Sequence, residues 1–503
     1  MIKHILIKNI IIIIWQCAGM LISIPAFGQY KHDYIWIFGS SISTNEHFEF
    51  NFTKDTGSLK QIILPFAFSN TNSCISDENG HLLLYFNGCD IANGRHEILE
   101  NGSGFNAGIP GDFECPKNYG YPGPYQSALI LPQPGTENIY FVFYLRYDDS
   151  PTSIDLSLLH AKVDLSYDQG KGIVLTKDIQ VSGDSVVTMG KITAVRHANN
   201  EDWWIILFGK GQTNEYKRIL FTKDTLMSLP KDTIGVINEK PGGQVGFSPD
   251  GTKYMRYTPK GLMVMDFDRN EGLLSNFRFL QYTQQGVFIG ATFSPNGRFI
   301  YLSDYTKIYQ VDTWEEELSL DLVAEWDGYE DEGWKVLFSM MQTGPDCRIY
   351  IASQNCLNFV NIIMNPDEKG VACNVVQRAL ELKSSNCSFP HFPNFRLGTP
   401  YPYCDPDKVV VTGTFDPDMV ENSKISVYPN PTHDHLFIMT PENSQSEYTI
   451  TLHDVLGNEV QRHQLSGKET DFSMTLTSLN NGLYILTIKD GNTSVLIEKI
   501  VKN

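Results

Sequence analysis

Apolar and aromatic residues along the chain fall in short runs, and Gly and Pro punctuate them at brief intervals. No stretch sustains the three-to-four spacing of a buried helix face. With aromatic and β-branched residues plentiful, the pattern predicts strands and tight turns throughout, an all-β protein. One strand-turn-strand unit repeats. Gly246-Phe-Ser-Pro-Asp-Gly251 followed by TKYMRY returns 46 residues on as Thr292-Phe-Ser-Pro-Asn-Gly297 followed by RFIYLSD, and again as Thr343-Gly-Pro-Asp-Cys347 followed by RIYIAS. Proline suits the second position of such a turn because its φ is already set, and Asp or Asn then Gly tolerate the left-handed conformations that follow. Weaker copies precede these at Ile75 to Gly80, Leu131 to Gly135 and Arg196 to Asn200. The spacing, 46 to 65 residues, is the length of one four-stranded blade of a β-propeller.

The ends of this region supply further strands. DYIWIFG (Asp33 to Gly39) and FEFNF (Phe48 to Phe52) precede the first turn, and FPHFPNFRLG (Phe389 to Gly398) follows the last. Joining N- and C-terminal strands in one shared blade would remove unpaired edges, so seven blades are expected over residues 30–399, with six as the alternative. After a Pro- and Asp-bearing linker (400–424), strand-like segments beginning at Leu436, Tyr448, Glu459, Phe472, Gly482 and Ser494, broken by glycines, predict a small Ig-like β-sandwich over 425–503.

The first residues set the compartment. Met1 to Gly28 combines Lys3 and Lys8, an apolar centre from Ile10 to Trp15, and Ala26 and Gly28 ahead of Gln29, the features of a secretory signal peptide over 1–28. A membrane anchor is the competing reading, disfavoured by Gln16 and Pro25 inside the run. No second spanning run follows, so no transmembrane segment is expected in the mature chain. Eight cysteines remain beyond the signal, an even number that in an exported chain points to disulfides; Cys89 with Cys115 and Cys347 with Cys356 are the expected pairs. The net charge of −19 opposes phosphate backbones, which excludes nucleic acid as a natural partner.

Two resemblances add to this reading. The FSPDG turn resembles those of WD-repeat-like propellers, and SDENGHLLLYFNG, HANNEDWW and FPNFRLG resemble uncharacterised propeller proteins exported by Bacteroidota; no activity comes with that likeness. The terminal module resembles the type A C-terminal sorting domain of type IX secretion cargo. Its landmarks occur in order: Tyr428-Pro429-Asn430-Pro431, Gly457 in HDVLGNEV, Gly482 and Tyr484 in LNNGLYILTI, and Lys499 in the last strand. That resemblance implies passage through the periplasm and outer membrane, contact with the secretion machinery and its sorting protease, and a mature protein attached to the surface or released. An adhesive Ig-like module is the competing reading.

Catalytic signals are thin. His96-Glu-Ile-Leu-Glu100 lacks the second histidine of a zinc-protease motif, and no nucleophile elbow or phosphate loop is present. Binding candidates are Tyr119, Tyr121 and Tyr125 on a Pro- and Gly-rich loop, Trp203 beside Trp204, and His197; rings with polar tips suit stacking on sugars or peptides. The alternative has the tyrosines packing the loop onto its own blade, one tryptophan filling the core, and His197 bonded within a turn. Acidic residues from Asp312 to Glu332, and Asp405 and Asp407, are the positions that would suit calcium, with a solvated acidic rim as the simpler reading; no cofactor is predicted. The expected function is a non-enzymatic binding or scaffold module for a glycan, peptide or protein. The alternative is a hydrolase or lyase with carboxylates at the propeller channel.

Overall fold

The computed structural model describes residues 31–397 apart from 41–46, 54–57, 148–154, 182–185, 189–190, 210–212, 239–241, 284–285, 387 and 396, and residues 426–502 apart from 429–431, 433–434, 440–446, 455–457, 467–470 and 491–492. The expected signal peptide (1–28) and the expected linker (400–424) fall outside the described residues. The chain divides into two compact units, 1–412 and 413–503.

The described residues of the first unit form the seven antiparallel blades of a propeller in chain order, the second and third joined into one nine-stranded sheet, with a two-stranded ribbon of Glu330–Asp331 and Trp334–Lys335 on the connection before the last blade. Blade 1 has three strands, Ile35–Phe38, His47–Asn51 and Ser58–Ile62. Blades 2 to 7 begin with innermost strands Ser73–Ser76, Ala128–Pro132, Thr193–Arg196, Val245–Phe247, Ala291–Phe293 and Phe338–Thr343 and meander outward. Blades 2 and 3 also touch at their outer strands through one parallel pairing, Glu100 with Ile173.

Position in a blade explains the apolar pattern. Trp203–Phe208, a second strand, is buried at all six positions because neighbouring blades cover both its faces; an outermost strand such as Leu273–Gln281 is buried on few. Between blades 4 and 5 the core gathers Val195, Trp204, Ile206, Phe208, Val245, Phe247 and Tyr254.

The repeated turns share one bonding scheme. Gly251 N–H donates to the Ser248 carbonyl at 2.8 Å and Lys253 N–H to Ser248 Oγ at 2.9 Å; Gly297 and Phe299 make the same bonds to Ser294, both at 2.9 Å. In the third copy Cys347 takes the left-handed slot, with φ 65°, and donates to the Gly344 carbonyl.

Cys89 and Cys115 form the expected disulfide, with Cα atoms 5.5 Å apart. The pairing of Cys347 with Cys356 is corrected. Each is disulfide-bonded, but the extended strand Ile349–Ser353 stands between them and alone separates its ends by roughly 13 Å, whereas a disulfide needs Cα atoms within about 7 Å. Cys74 and Cys373 are free and buried.

The second unit has two sheets: Ser426–Tyr428, His435–Met439 and Asp471–Thr475 in one, and Glu459–Ser466, Glu447–Asp454, Gly482–Asp490 and Thr493–Lys502 in the other. Leu436, Ile438, Tyr448, Ile450, Leu452, Met474, Leu486, Ile488 and Ile500 fill the space between. Thr432 N–H donates to the Val501 carbonyl at 2.8 Å, tying the start of the module to its last strand.

Candidate functional site

The centre of the propeller is occupied. The segment Ser388–Phe395 does not add a strand to blade 1; it runs down the channel from blade 7. His391 N–H donates to the Asn72 carbonyl (2.9 Å) and Asn394 N–H to that of Ala194 (3.1 Å), with a parallel bridge between Val195 and Asn394. Phe389 packs on Trp36 and Phe38 at 5.3–5.5 Å, and Phe395 sits edge-on to Trp203 at 5.7 Å. Blade 1 and the C-terminal segment therefore close the ring by packing on one another.

His391 is the polar pivot. Its Nε2–H donates to the Ile192 carbonyl (2.9 Å) and its Nδ1 accepts from Gln126 Nε2 (3.3 Å), an arrangement that requires the neutral ring. Burial lowers its pKa to about 4, and nearby Lys191 adds to that effect. Gln126 and Gln244, each just ahead of an innermost strand, imitate peptide groups. The Gln126 amide donates to the Val245 carbonyl and accepts from the Val245 N–H, both at 2.9 Å. Gln244 donates to Met341 and accepts from Ala291 and Met341, all at 2.9 Å. Beneath this layer lies a cavity of about 120 Å³ whose polar lining includes Asp33, Thr193, Thr292, Thr343 and Asn394. It has room for a few waters and is smaller than an ordinary ligand pocket.

Strand direction sorts the loops onto two faces. The turns that follow each innermost strand share one face; the connections between blades share the other. Ile63, Ile109, Phe113, Tyr119, Phe288 and Trp334, all on interblade connections, are exposed. Phe113 is 65% exposed, with Lys117 Nζ 3.3 Å from its ring centroid. Beside it the Cys89–Cys115 disulfide floors a recess of about 280 Å³ lined by Asp90, Phe105, Asp112 and Pro116. Burial raises the Asp90 carboxyl above its ordinary range.

The five binding residues expected from the sequence do not converge. Tyr119 is 46% exposed. Tyr121 is fully buried, its hydroxyl accepting from the Tyr147 N–H at 2.9 Å, and Tyr125 is buried edge-on to Phe288. Trp203 is buried beneath Phe395. His197 Nδ1 accepts from the Asn199 N–H within its own turn, and its Nε2 reaches the Asn270 carbonyl of blade 5, both at 3.0 Å. His96 and Glu100 flank the start of a strand, Ile98–Ser103, and not a helix, which removes the geometry a zinc-protease motif needs. Most carboxylates of the acidic stretch that have partners are tied to cations: Asp312 to Arg298 (2.7 Å), Glu325 to Lys307 (3.2 Å) and Asp327 to Arg378 (2.7 Å). Among the described residues no three His, Cys, Asp or Glu side chains converge to hold a metal ion; Asp405 and Asp407 lie outside them.

Of the terminal landmarks, Tyr484 is buried with its hydroxyl donating to the Asn480 carbonyl at 2.8 Å, Gly482 opens the third strand of its sheet, and Lys499 pairs with Ile485. Tyr428 ends the first strand; Pro429, Asn430, Pro431 and Gly457 lie outside the described residues. Residues 426–503 match the family described as the secretion system C-terminal sorting domain. The chain is thus a β-propeller joined to a type IX sorting domain, a cargo sent to the cell surface or secreted, and the sorting domain implies contact with the type IX machinery. No helix among the described residues is long and apolar enough to cross a membrane.

No curated protein matches the chain. Solved structures similar to it include a putative 6-phosphogluconolactonase from Bacteroides uniformis (11% identity, 71% of this chain and 99% of that one, TM-score 0.46). Others are the periplasmic gluconolactonase of Pseudomonas aeruginosa (11%, 71% and 98%, 0.43) and the Swd1 β-propeller domain of Myceliophthora thermophila (10%, 64% and 94%, 0.37).

Proposed function

We propose that the protein is an exported binding module of Bacteroidota, entering the periplasm through a signal peptide at 1–28, whose WD-repeat-like propeller over residues 30–399 holds an extracellular glycan on the face of its interblade connections. The observation that carries this reading is the recess lined by the Cys89–Cys115 disulfide, with the exposed ring of Phe113 next in the chain to Asp112 of its wall. It joins an exposed ring, suited to stacking on a sugar, with the carboxylates of Asp90 and Asp112, suited to sugar hydroxyls. The filled channel supports the same reading, since among the described residues Asp33 is the one carboxylate on its cavity wall and glycoside hydrolysis uses two.

A second reading rests on Asp90, whose raised carboxyl is the kind that serves as a general acid, with Asp112 on the same recess as its partner. Screening the mature chain on a glycan array and on chromogenic polysaccharides separates the two. Binding without turnover, lost at least tenfold in Phe113→Ala, is expected. Turnover abolished by Asp90→Asn would establish the hydrolase, and glycan binding untouched by Phe113→Ala and Tyr119→Ala would remove the recess from either reading.

A further inference from the structure

A second polar site lies apart from the recess, between blades 4 and 5. Lys191, on the connection into blade 4, and Arg256, in the strand Lys253–Thr258 of blade 5, are 7% and 8% exposed. The Arg256 guanidinium lies 3.2 Å from the ring centroid of Phe208, and Tyr216 and Tyr254 stand beside it with ring centroids 5.8 Å apart. Among the described residues neither cation forms an ion pair, and Arg256 Nη1 and the Tyr254 hydroxyl are buried with no hydrogen-bond partner. The Tyr216 hydroxyl serves Arg256 as one acceptor, which leaves Arg256 Nη1 and the Tyr254 hydroxyl, beside a second buried cation, as donors in excess of the acceptors present. A folded protein seldom retains such a set unless water or an ion completes it.

We infer that the space between blades 4 and 5 binds a small oxyanion, a carboxylate or a sulfate or phosphate group, through Lys191, Arg256 and the Tyr254 hydroxyl. Arg256 stacked on Phe208 offers its guanidinium edge for a forked contact, while the lysine ammonium supplies the second charge. Among the described residues the groups facing the site are Lys191 and Tyr216 from blade 4, Tyr254 and Arg256 from blade 5, and His391 from the channel, and none of these is a carboxylate. Burial, and then Arg256, lowers the Lys191 ammonium to about 7; an anion would reverse that shift, and binding would take up a proton.

The test is calorimetric titration and thermal melting of the mature chain with sulfate, phosphate and acetate against chloride at equal ionic strength. At least one oxyanion should bind tenfold or more tighter than chloride, and its affinity should fall by roughly tenfold per pH unit above pH 7 as Lys191 loses its proton. Lys191→Met removes a buried charge and should fold; both it and Arg256→Met should lose the anion-specific shift. Sulfate and phosphate without acetate would assign a tetrahedral group, and acetate alone a carboxylate. No difference from chloride, or an equal shift in Lys191→Met, would overturn the inference whatever the glycan experiment shows.

Discussion

The two units carry their purposes differently. In the sandwich the export message is a set of short landmarks in fixed order, each legible from a few adjacent residues. In the propeller the recess is local, its lining drawn from residues 89–116, but its residues carry no fixed order of landmarks, and at the channel neighbouring residues come from positions far apart in sequence. A module read by one machine can keep a linear signature; a disc that presents a surface need keep only its frame.

The sharpest way to break this contrast is to delete residues 425–503. Surface delivery should be lost entirely while the propeller still folds in the periplasm, and grafting the module onto a periplasmic reporter should bring that reporter out. Surface labelling checks both, and a deleted form that still reached the surface would make the module an ordinary adhesive domain.

Next in size is the channel segment. Ending the chain at Asn386 removes Phe389, Phe392 and Phe395 from the core, and losing a buried phenylalanine costs about 3–5 kcal/mol. The sum matches the whole stability of a typical domain, so cooperative unfolding should disappear in calorimetry. An unchanged melt would show that blade 1 closes the ring unaided.

How much of this was visible beforehand depends on range. The turns at Ser248 and Ser294 were legible because every partner lies within five residues. The strand at Trp203 was legible, and so was a tryptophan in the core as one of two readings, but not that Phe395, almost two hundred residues on, covers it. Gln126 and His391 gave no signal at all: an amide and an imidazole become a structural pair only when the fold brings together positions 265 residues apart. The expected Cys347–Cys356 bond fails because closeness in sequence is not closeness in space, and an extended strand is the conformation that most separates its ends.

Two smaller effects sharpen the account of the propeller. His391 should make stability depend on pH. Its folded pKa, about 4, lies below the ordinary 6.5, so the unfolded chain takes the proton first; the group costs nothing above pH 6.5, and its penalty grows as pH falls to about 4, reaching roughly 3 kcal/mol. Denaturant melts at pH 7 and pH 4 should show that loss, and His391→Gln should flatten it. Cys89→Ser, which opens a 26-residue link, should cost about 3 kcal/mol and weaken the recess; peptide mapping without reduction should recover Cys89 joined to Cys115 and no Cys347–Cys356 crosslink.

The course of the channel segment has a directional consequence. It enters from the interblade connections and descends, so that Leu397 arrives beside Gly251, in a turn of the opposite face. A mature chain held to the cell by residues beyond that point would be tethered from below, with the exposed rings of Phe113, Tyr119 and Trp334 facing outward to the medium and the flat turn side toward the membrane.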